Sequence, residues 1–218
     1  MTGPVDSGPA RIESEAQHVE GEAQHVEGET IAREDWYGEQ ITARTYVGCA
    51  FTQVDLTEAL VQSSTFTACT FVDVRFNAGR LVSSALLNCS FTGCNFFDAE
   101  FTDCKLTGSA FTRCATRPLR VLGGDWSFVA LAGADLRGCT FQGTRMREAD
   151  LTGADCEGSV FSDVDLSGAT LHRARFARAD LRGSDLSAVD PYVTDLREAV
   201  VGPEQAVVIA MAMGLVVR

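Results

Sequence analysis

The sequence has few of the residues that usually build an active site. It contains three histidines, and only His172 lies beyond the first 30 residues. No Ser/His/Asp set, phosphate-binding loop or metal-ligand spacing can be assembled from it. We therefore expect a protein that is not an enzyme and has no cofactor.

Long hydrophobic runs are missing as well. The N-terminal MTGPVDSGPAR has no apolar core, which argues against a signal peptide. The apolar stretch from Ala206 to Val217 is too short to span a bilayer. These absences favour a cytoplasmic protein without a membrane segment.

In place of these features the sequence has a five-residue period. Within ADLRGCTFQGTRMREADLTGADCEGS, residues 134–159, a bulky residue recurs at every fifth place: Leu136, Phe141, Met146, Leu151 and Cys156. Apolar helix faces repeat at 3.6 residues and half-buried strands at 2, so neither element explains the spacing. The register continues from Tyr46 to Val201 and is broken only at Thr116 and Pro191.

A second column has the same period. Two places before each bulky centre stands a small residue, as with Ala134 before Leu136, and Leu119 is the one large exception. The place just before the centre is often Asp, and the two places after it are polar or Gly. Each pentad thus has two inward and three outward positions, which is typical of a solenoid whose units bury their apolar faces against one another.

This pattern resembles the pentapeptide repeat proteins. The motif of a small residue, Asp or Asn, Leu or Phe, and two further residues recurs about thirty times between Tyr46 and Val201, which is about seven-tenths of the chain. The resemblance implies an all-β solenoid, a right-handed quadrilateral β-helix with four pentads per coil and about eight coils. Cys49, Cys69 and Cys89 lie twenty residues apart and would stack in one column of such a helix.

The eight cysteines follow the repeat. Seven occupy the small inward position, Cys156 occupies a bulky centre, and no CxxC or Cys/His cluster is present. Small buried hydrophobic residues are the favoured interpretation, with metal or redox chemistry as the alternative. Many unpaired thiols also fit a reducing cytoplasm.

The ends of the chain lie outside the repeat. Residues 1–30 carry seven acids and one Arg and contain EAQHVEG twice in tandem, which favours a disordered acidic extension; a docking or metal-binding role for His18 and His25 is the alternative. The repeat is assigned to residues 31–201. Residues 202–218 are assigned to a C-terminal segment.

The C-terminal segment is expected to hold a short capping helix. Gly202-Pro203 starts it, Gly214 is a plausible stop, and the stretch from Ala206 to Met213 is apolar on every face. An apolar helix of this kind favours a homodimer joined through the C-terminal ends, and a cap that buries itself within one chain is the alternative. The candidate dimer contacts are Val207, Val208, Met211, Met213 and Leu215.

Acidic residues dominate the outer surface of the C-terminal half. Residues 121–201 carry thirteen acids and eight bases, and most of their Asp residues stand just before a centre. The candidate partner-binding acids are Asp125, Asp135, Asp150, Asp155, Asp163, Asp165, Asp180, Asp185, Asp190 and Asp195. The alternative is that Asp at this place bonds the local backbone and is simply what the motif prefers.

Within the family, the chain resembles the MfpA/Qnr-type branch, whose members bind DNA gyrase. That resemblance implies a DNA mimic that binds gyrase or topoisomerase IV, does not itself bind nucleic acid, and inhibits the enzyme or protects it from quinolone-type poisons. A 40 Å duplex carries about 24 charges, so imitation by this chain has to be local. A scaffold for another protein is the alternative, favoured if the surface charge is a patchwork.

One irregularity within the repeat is a candidate contact. Around Thr116 the centre is polar, and the neighbouring residues depart from the motif. The residues of this possible contact bulge are Arg113, Arg117, Pro118 and Arg120. A tolerated defect of the repeat is the alternative.

Overall fold

The computed structural model describes residues 25–218, which form a parallel β-solenoid followed by one helix. The elements are β1 His25–Glu27, β2 Thr30–Ala32, β3 Gln40–Thr42, β4 Thr45–Val47, β5 Ala50–Thr52, β6 Leu60–Gln62, β7 Thr65–Thr67, β8 Thr70–Val72, β9 Arg80–Val82, β10 Ala85–Leu87, β11 Ser90–Thr92, β12 Ala99–Thr102, β13 Ala110–Thr112, β14 Leu119–Leu122, β15 Thr140–Gln142, β16 Val160–Ser162 and α1 Pro203–Ala212. Paired residues are always 20 apart, as in Val26↔Tyr46 and Phe51↔Phe71. Four pentads therefore make one coil, and the predicted solenoid class with its C-terminal helix is confirmed.

Each coil has four sides, one pentad to a side. Side 1 holds β1, β4, β7 and β10, and side 2 holds β2, β5, β8, β11 and β13. Side 3 is joined by single bridges such as Asp55↔Arg75. Side 4 holds β3, β6, β9, β12, β14, β15 and β16, one strand from each of seven successive coils. Towards the C-terminus all four sides continue as single bridges, for example Arg145↔Asp165 on side 1.

The bulky centres fill the inside of the rod. On side 2, Phe51, Phe71 and Phe91 stack with ring centroids 4.8 Å apart. That distance equals the roughly 4.7–4.9 Å between neighbouring strands, so each ring sits directly over the ring of the preceding coil. The five-residue period is thus a packing requirement, because a slip of one residue would turn a centre outwards.

The small inward positions bring the cysteines together as predicted. Cys49, Cys69 and Cys89 lie one per coil in one column, and the Sγ atom of Cys69 lies 3.5 Å from the carbonyl oxygen of Tyr46 in the coil before it. Burial raises the pKa of the Cys139 thiol to about 11. The described cysteines are all free, and only Cys114 is not fully buried.

Each corner of the coil needs one residue with a left-handed backbone. The residue two places after nearly every centre has a positive φ, whether it is Gly or a larger residue such as Asp163 at 55°. Pro118 stands at such a corner, and its ring fixes φ near −65°. The amide of Asp98 accordingly bonds to the oxygen of Pro118, one residue later than the regular register, and regular pairing resumes at Leu119. The irregularity at Thr116 to Pro118 is therefore confined to one corner.

The repeat begins before residue 31, where the sequence placed its boundary. Strand β1 pairs with β4, and β2 pairs with β5, so residues 25–30 already belong to the first coil. Val26 occupies a centre and Gly28 a left-handed corner with φ 66°. This pentad was not recognised as part of the repeat from the sequence, because its neighbours are acidic and it lies within the tandem heptapeptide. The rest of the predicted extension lies outside the described residues.

The helix begins and ends where the sequence predicted. Gly202 is the N-cap, Pro203 is the first helical residue, and Gly214 follows the C-cap Met213 with φ 84°. Gln205 is the only buried residue of α1. Among residues 25–218, no helix has the length and apolar character that crossing a bilayer requires.

Candidate partner-binding surface

The aspartates that precede the centres each use one carboxylate oxygen within their own turn. The backbone amide two residues later donates to the Oδ1 atom, at 3.0 Å for Asp125 and 2.8 Å for Asp185. The same contact is made by Asp135, Asp150, Asp155, Asp165, Asp180, Asp190 and Asp195. Asp is favoured here because its side chain stabilises the turn, and the second oxygen remains available on the outside.

The repeat distributes these acids over all four sides of the rod. Side 1 carries Asp125, Asp165 and Asp185; side 2 carries Asp150 and Asp190; side 3 carries Asp135, Asp155 and Asp195; side 4 carries Asp180. Asp163 stands at the corner between sides 4 and 1. The structure therefore brings some of the predicted acids together and separates others.

Arginines in the same pentad or one coil away pair with many of these acids. On side 1, Arg145 lies in the ladder between Asp125 and Asp165, and its Nη1 atom is 2.9 Å from Asp125 Oδ2. On side 3, Arg175 lies between Asp155 and Asp195 and is 3.0 Å from Asp155 Oδ2. The further ion pairs of the predicted acids are Arg117–Asp135, Arg137–Asp135, Arg137–Asp155, Arg147–Asp165, Arg182–Asp180 and Arg197–Asp195.

These pairs hold several carboxyls in the charged form. A hydrogen bond from Arg197 lowers the pKa of Asp195 to about 2. Hydrogen bonds from Arg137 and Arg182 likewise lower the pKa of Asp135 and of Asp180. For Asp125, burial raises the pKa, but the hydrogen bonds from Ser127 and Arg145 outweigh it and the net shift is downward. The paired acids therefore stay ionised at neutral pH while their charge is locally balanced.

Three of the predicted acids lie together at one corner near the C-terminal end. We call Asp163, Asp165 and Asp185 the acidic corner. Asp163 and Asp185 are exposed and have no arginine within ion-pair distance among the described residues, and Asp165 has Arg147 at 3.5 Å. Asp165 and Asp185 are ladder neighbours, and the Asp163 carboxylate lies over the backbone of Gly183, two residues before Asp185.

The residues of the predicted contact bulge are spread around one coil. Arg113 stands at the corner between sides 2 and 3, Arg117 and Pro118 end side 3, and Arg120 lies on side 4 as the ladder partner of Glu100. Arg117 pairs with Asp135 at 3.3 Å. Phe97 lies one coil before Arg117, and its side chain is 54% exposed. The sequence analysis did not single it out, because Phe97 stands beside Phe96, a regular centre.

The predicted dimer contacts all lie on the outside of the chain. Val207 and Val208 are 39% and 38% exposed, and Met211, Met213 and Leu215 are more exposed still. The side of α1 that meets the solenoid is held by Gln205, a residue that sequence reasoning missed. Its Nε2 atom donates to the carbonyl oxygens of Leu181 at 2.6 Å and Ser184 at 2.7 Å, and its Oε1 atom accepts from the Gly202 amide.

Residues 25–218 contain no cluster of three or more His, Cys, Asp or Glu side chains that could hold a metal ion.

Comparison with known proteins gives the repeat and the fold. A family model described as pentapeptide repeats, in eight copies, matches residues 80–113, 130–168 and 159–190. A trypsin-treated variant of QnrB1, a plasmid-mediated fluoroquinolone resistance protein, superposes with a TM-score of 0.81 at 23% identity, covering 90% of this chain and 100% of that one. Full-length QnrB1 gives a TM-score of 0.57 at 19% identity, covering 88% and 100%. A search of curated protein sequences finds no match.

Proposed function

We propose that this chain, a pentapeptide repeat protein, binds a type II DNA topoisomerase, gyrase or topoisomerase IV, and there inhibits the enzyme or protects it from quinolone-type poisons. The likeness to QnrB1 supports the proposal through the fold, since the chain spans the whole of that fluoroquinolone resistance protein at a TM-score of 0.81. At 23% identity the shared fold does not by itself imply a shared partner, so the surface chemistry of this chain has to support one.

The observation that carries the proposal is the acidic corner. Asp163, Asp165 and Asp185 place carboxylates on adjacent coils of a straight rod, at the roughly 4.7–4.9 Å spacing of the ladder. A groove built for duplex DNA presents basic side chains and main-chain donors to phosphate oxygens. Carboxylate oxygens on a rigid rod offer acceptors of the same sign to such a groove, and no ordering of the rod is needed on binding.

The imitation of DNA is local. The rod exposes paired acids over much of its surface, because Arg145 and Arg175 interrupt the Asp ladders of sides 1 and 3. Duplex DNA has no such interruptions and carries one charge per roughly 1.7 Å of its axis. We therefore assign the contact to the acidic corner and its neighbours in the last coils, and not to the whole length of the rod.

The same arginines favour a second candidate function. A surface in which Arg and Asp alternate along a ladder is a patchwork of both signs, which suits a protein partner with its own mixed charges. In this alternative the protein is a non-catalytic scaffold, and the exposed Phe97 beside Arg117 is its best anchor, since aromatic and arginine residues dominate binding energy at protein interfaces.

We also propose that two copies join through α1. The helix exposes Val207, Val208 and Met211, next to the exposed apolar residues that follow the helix. A contiguous apolar surface at the tip of a rod is covered most simply by the same surface of a second copy, which closes a two-fold dimer. Such a dimer would double the length of rod offered to a topoisomerase, which is itself two-fold symmetric. A partner of this kind places the protein in the cytoplasm.

The proposal is tested by measuring gyrase and topoisomerase IV supercoiling and decatenation with the purified protein, with and without a quinolone, at two salt concentrations. We expect inhibition or rescue that weakens as salt rises, because screening reduces electrostatic contact between the surfaces. If neither enzyme responds over a wide range of protein concentration, the scaffold function replaces the topoisomerase function.

A further inference from the structure

One corner of the solenoid holds an aromatic residue that faces solvent. Phe128 stands two places after the centre Trp126, at the corner between sides 1 and 2, and its side chain is 53% exposed. Trp126 itself is fully buried, so the core at this coil is filled without the Phe128 ring. Exposure alone does not assign a role to Phe128, because single apolar residues are common on protein surfaces.

The backbone of Phe128 is a second, independent observation. Its φ is 59°, in the left-handed region that Gly, Asn and Asp enter most readily. Among the corners of residues 25–218 with a positive φ, Phe128 is the only aromatic residue. The ladder fixes this corner, since the Phe128 amide donates to the carbonyl oxygen of Arg147 at 2.9 Å. A bulky residue is thus held in a strained conformation, and such residues concentrate at functional sites.

The residues beside Phe128 differ between its two neighbouring coils. In the preceding coil the same corner is Gly108, which has no side chain, and Ala130, two residues after Phe128, is small as well. In the following coil the same two columns carry acids, Glu148 at the corner and Asp150 next to Ala130 in the ladder. An apolar ring with acids on one side fits a partner pocket that is apolar inside and basic at its rim.

Phe128 lies on the same side of the rod as the acidic corner. Side 1 has Asp163 at one edge and Phe128 at the other. Along the ladder, Asp125 in the Phe128 pentad is followed by Arg145 and then by Asp165, so the two features are two coils apart, roughly 9–10 Å. A standard protein interface buries roughly 800 Å² on each partner, which is enough to cover both.

We propose that Phe128 is the apolar anchor of side 1, inserted into a pocket of the topoisomerase while the acidic corner meets basic side chains beside it. The inference rests on the proposed function, because it takes the topoisomerase as the partner. It adds the residue that supplies short-range binding energy, since buried aromatic residues dominate that energy and exposed charges mainly guide the approach. Burial of the ring in the complex offsets the strain of the corner.

Binding of the purified full-length chain to gyrase and to topoisomerase IV tests the anchor. We expect Phe128→Ala to raise the dissociation constant at least about tenfold, as loss of a central aromatic contact does. Ala already occupies left-handed corners of this chain, for example Ala68 with φ 52°, so the corner should keep its shape. The ratio of the two constants should be the same at two salt concentrations, because the burial of an apolar ring is not screened.

Phe97→Ala is the matched control. Phe97 is 54% exposed and lies on side 3, opposite side 1, so its loss should change the dissociation constant by less than about twofold.

Phe128→Gly separates an anchor from a structural role. Gly accepts a left-handed corner without strain, so this variant should hold or raise the urea midpoint while it weakens binding. A lower urea midpoint together with weaker binding would assign Phe128 to the stability of the fold and overturn the anchor.

The outcomes also separate the anchor from the proposed function. If the wild type binds a topoisomerase and Phe128→Ala binds equally well, the anchor is wrong and the proposed function stands. If Phe97→Ala is the damaging change, the contact lies on side 3 and the anchor is again wrong. If the wild type binds neither enzyme, the proposed function fails and the anchor fails with it.

Discussion

The side-chain amide nitrogen of Gln205 lies 2.6 Å from the carbonyl oxygen of Leu181, 24 residues earlier in the chain. Leu181 belongs to the last complete coils, where carbonyl groups run out of ladder partners. One glutamine thus joins the first turn of α1 to the end of the solenoid, and it also accepts from the amide of Gly202 at the start of its own helix. The cap combines these hydrogen bonds with Ile209, which packs against the core, while Val207, Val208 and Met211 are left exposed.

Replacing Gln205 by Ala should loosen the helix from the solenoid. The variant removes the Gln205 donor from both carbonyl groups. The oxygen of Leu181 keeps the Ser184 amide at 3.1 Å, but the oxygen of Ser184 loses its donor, and an unsatisfied buried polar group costs about 1–3 kcal/mol. We expect a lower urea midpoint and faster amide exchange in α1. Glu204→Ala is the matched control, since Glu204 is an exposed neighbour in the same helical turn. Equal effects of the two substitutions would contradict the capping role.

Gly183 should tolerate alanine less well than Gly153 does. Both have left-handed backbones, with φ of 76° and 64°, so both substitutions carry the roughly 1–2 kcal/mol cost of that conformation. At Gly183 a Cβ atom would also overlap the Oδ1 atom of Asp163, whereas at Gly153 it meets nothing within 4 Å. Because the exposed Asp163 side chain has to leave its rotamer to make room, we expect Gly183→Ala to lower the free energy of unfolding by about 0.5–1.5 kcal/mol more than Gly153→Ala does.

A double-substitution cycle isolates that overlap. Asp163→Ala combined with Gly183→Ala removes the clashing oxygen and leaves only the backbone cost. The double variant should therefore be more stable than the sum of the single effects predicts. Simple additivity in chemical denaturation would show that Asp163 does not press on the corner at Gly183.

Ion pairing of Asp195 should make stability depend on acid pH. Its folded pKa is lowered to about 2 by Arg197, below the unfolded value of about 3.9. A group with a depressed folded pKa adds stability above the unfolded pKa and loses it as pH falls through the folded pKa. The stabilising effect is therefore complete near neutral pH and declines between about pH 4 and pH 2.

Thermal unfolding of the wild type and of Asp195→Asn, followed from pH 7 to pH 2, checks this effect. The two melting temperatures should differ above pH 4 and converge as the pH approaches 2. Asp150→Asn is the control, because Asp150 makes the same turn contact with Thr152 but has no arginine at ion-pair distance among the described residues. A difference for Asp195→Asn that stayed constant down to pH 2 would assign its effect to the turn contact alone.

Much of the fold follows from the sequence because each position of the repeat has a fixed place in the packing of the solenoid. A bulky centre every fifth residue defines the inward face, and Cys49, Cys69 and Cys89 at twenty-residue intervals already indicate four pentads per coil. The helix boundaries follow from Gly202-Pro203 and Gly214, whose backbone preferences act locally. The start of the first coil is less visible, because Val26 is the only apolar residue of its pentad and the structure, not the composition, shows its partner Tyr46.

The partner-binding surface is harder to predict because its contacts join neighbouring coils. Arg145 meets Asp125 and Arg175 meets Asp155, each across 20 residues of sequence. Charges of opposite sign at that spacing are the signal that would have found these pairs. Gln205 gave no such signal, since its partners are backbone carbonyls, which carry no sequence information. The acidic corner becomes distinct only once the coils are stacked, because Asp165 and Asp185 are neighbours across 20 residues of sequence.

The proposed dimer predicts a sharp effect of a charge on the exposed side of α1. Met211 is 62% exposed, so Met211→Asp should leave the fold of one chain intact and place carboxylates in a desolvated contact between two. We expect the mass in solution, measured by sedimentation, to fall from that of two chains to that of one. Val72→Asp, on side 2 and 36% exposed, should leave the mass unchanged. A wild-type chain that is already monomeric would contradict the dimer and leave α1 as a cap within one chain.

The acidic corner should matter more for topoisomerase binding than the acids that arginines already balance. Asp185→Asn removes one exposed carboxylate that has no arginine partner within residues 25–218, and Asp180→Asn removes a carboxylate that Arg182 holds at 2.6 Å. Both substitutions keep the shape of the side chain and an oxygen that can accept from the backbone amide two residues later, so the turn should survive in each variant. Losing one exposed charge contact typically costs about 0.2–1 kcal/mol, and we therefore expect Asp185→Asn to weaken gyrase inhibition or protection about two- to fivefold. Asp180→Asn should have a smaller effect, because a charge already neutralised by Arg182 attracts a basic groove only weakly.

Half-maximal protein concentrations in supercoiling assays at two salt concentrations compare the two variants. The difference between the variants should disappear at high salt. If instead Asp180→Asn is the more damaging change, the contact follows the alternating Arg and Asp ladders, and the surface is better described as a scaffold of mixed charge than as a local imitation of DNA.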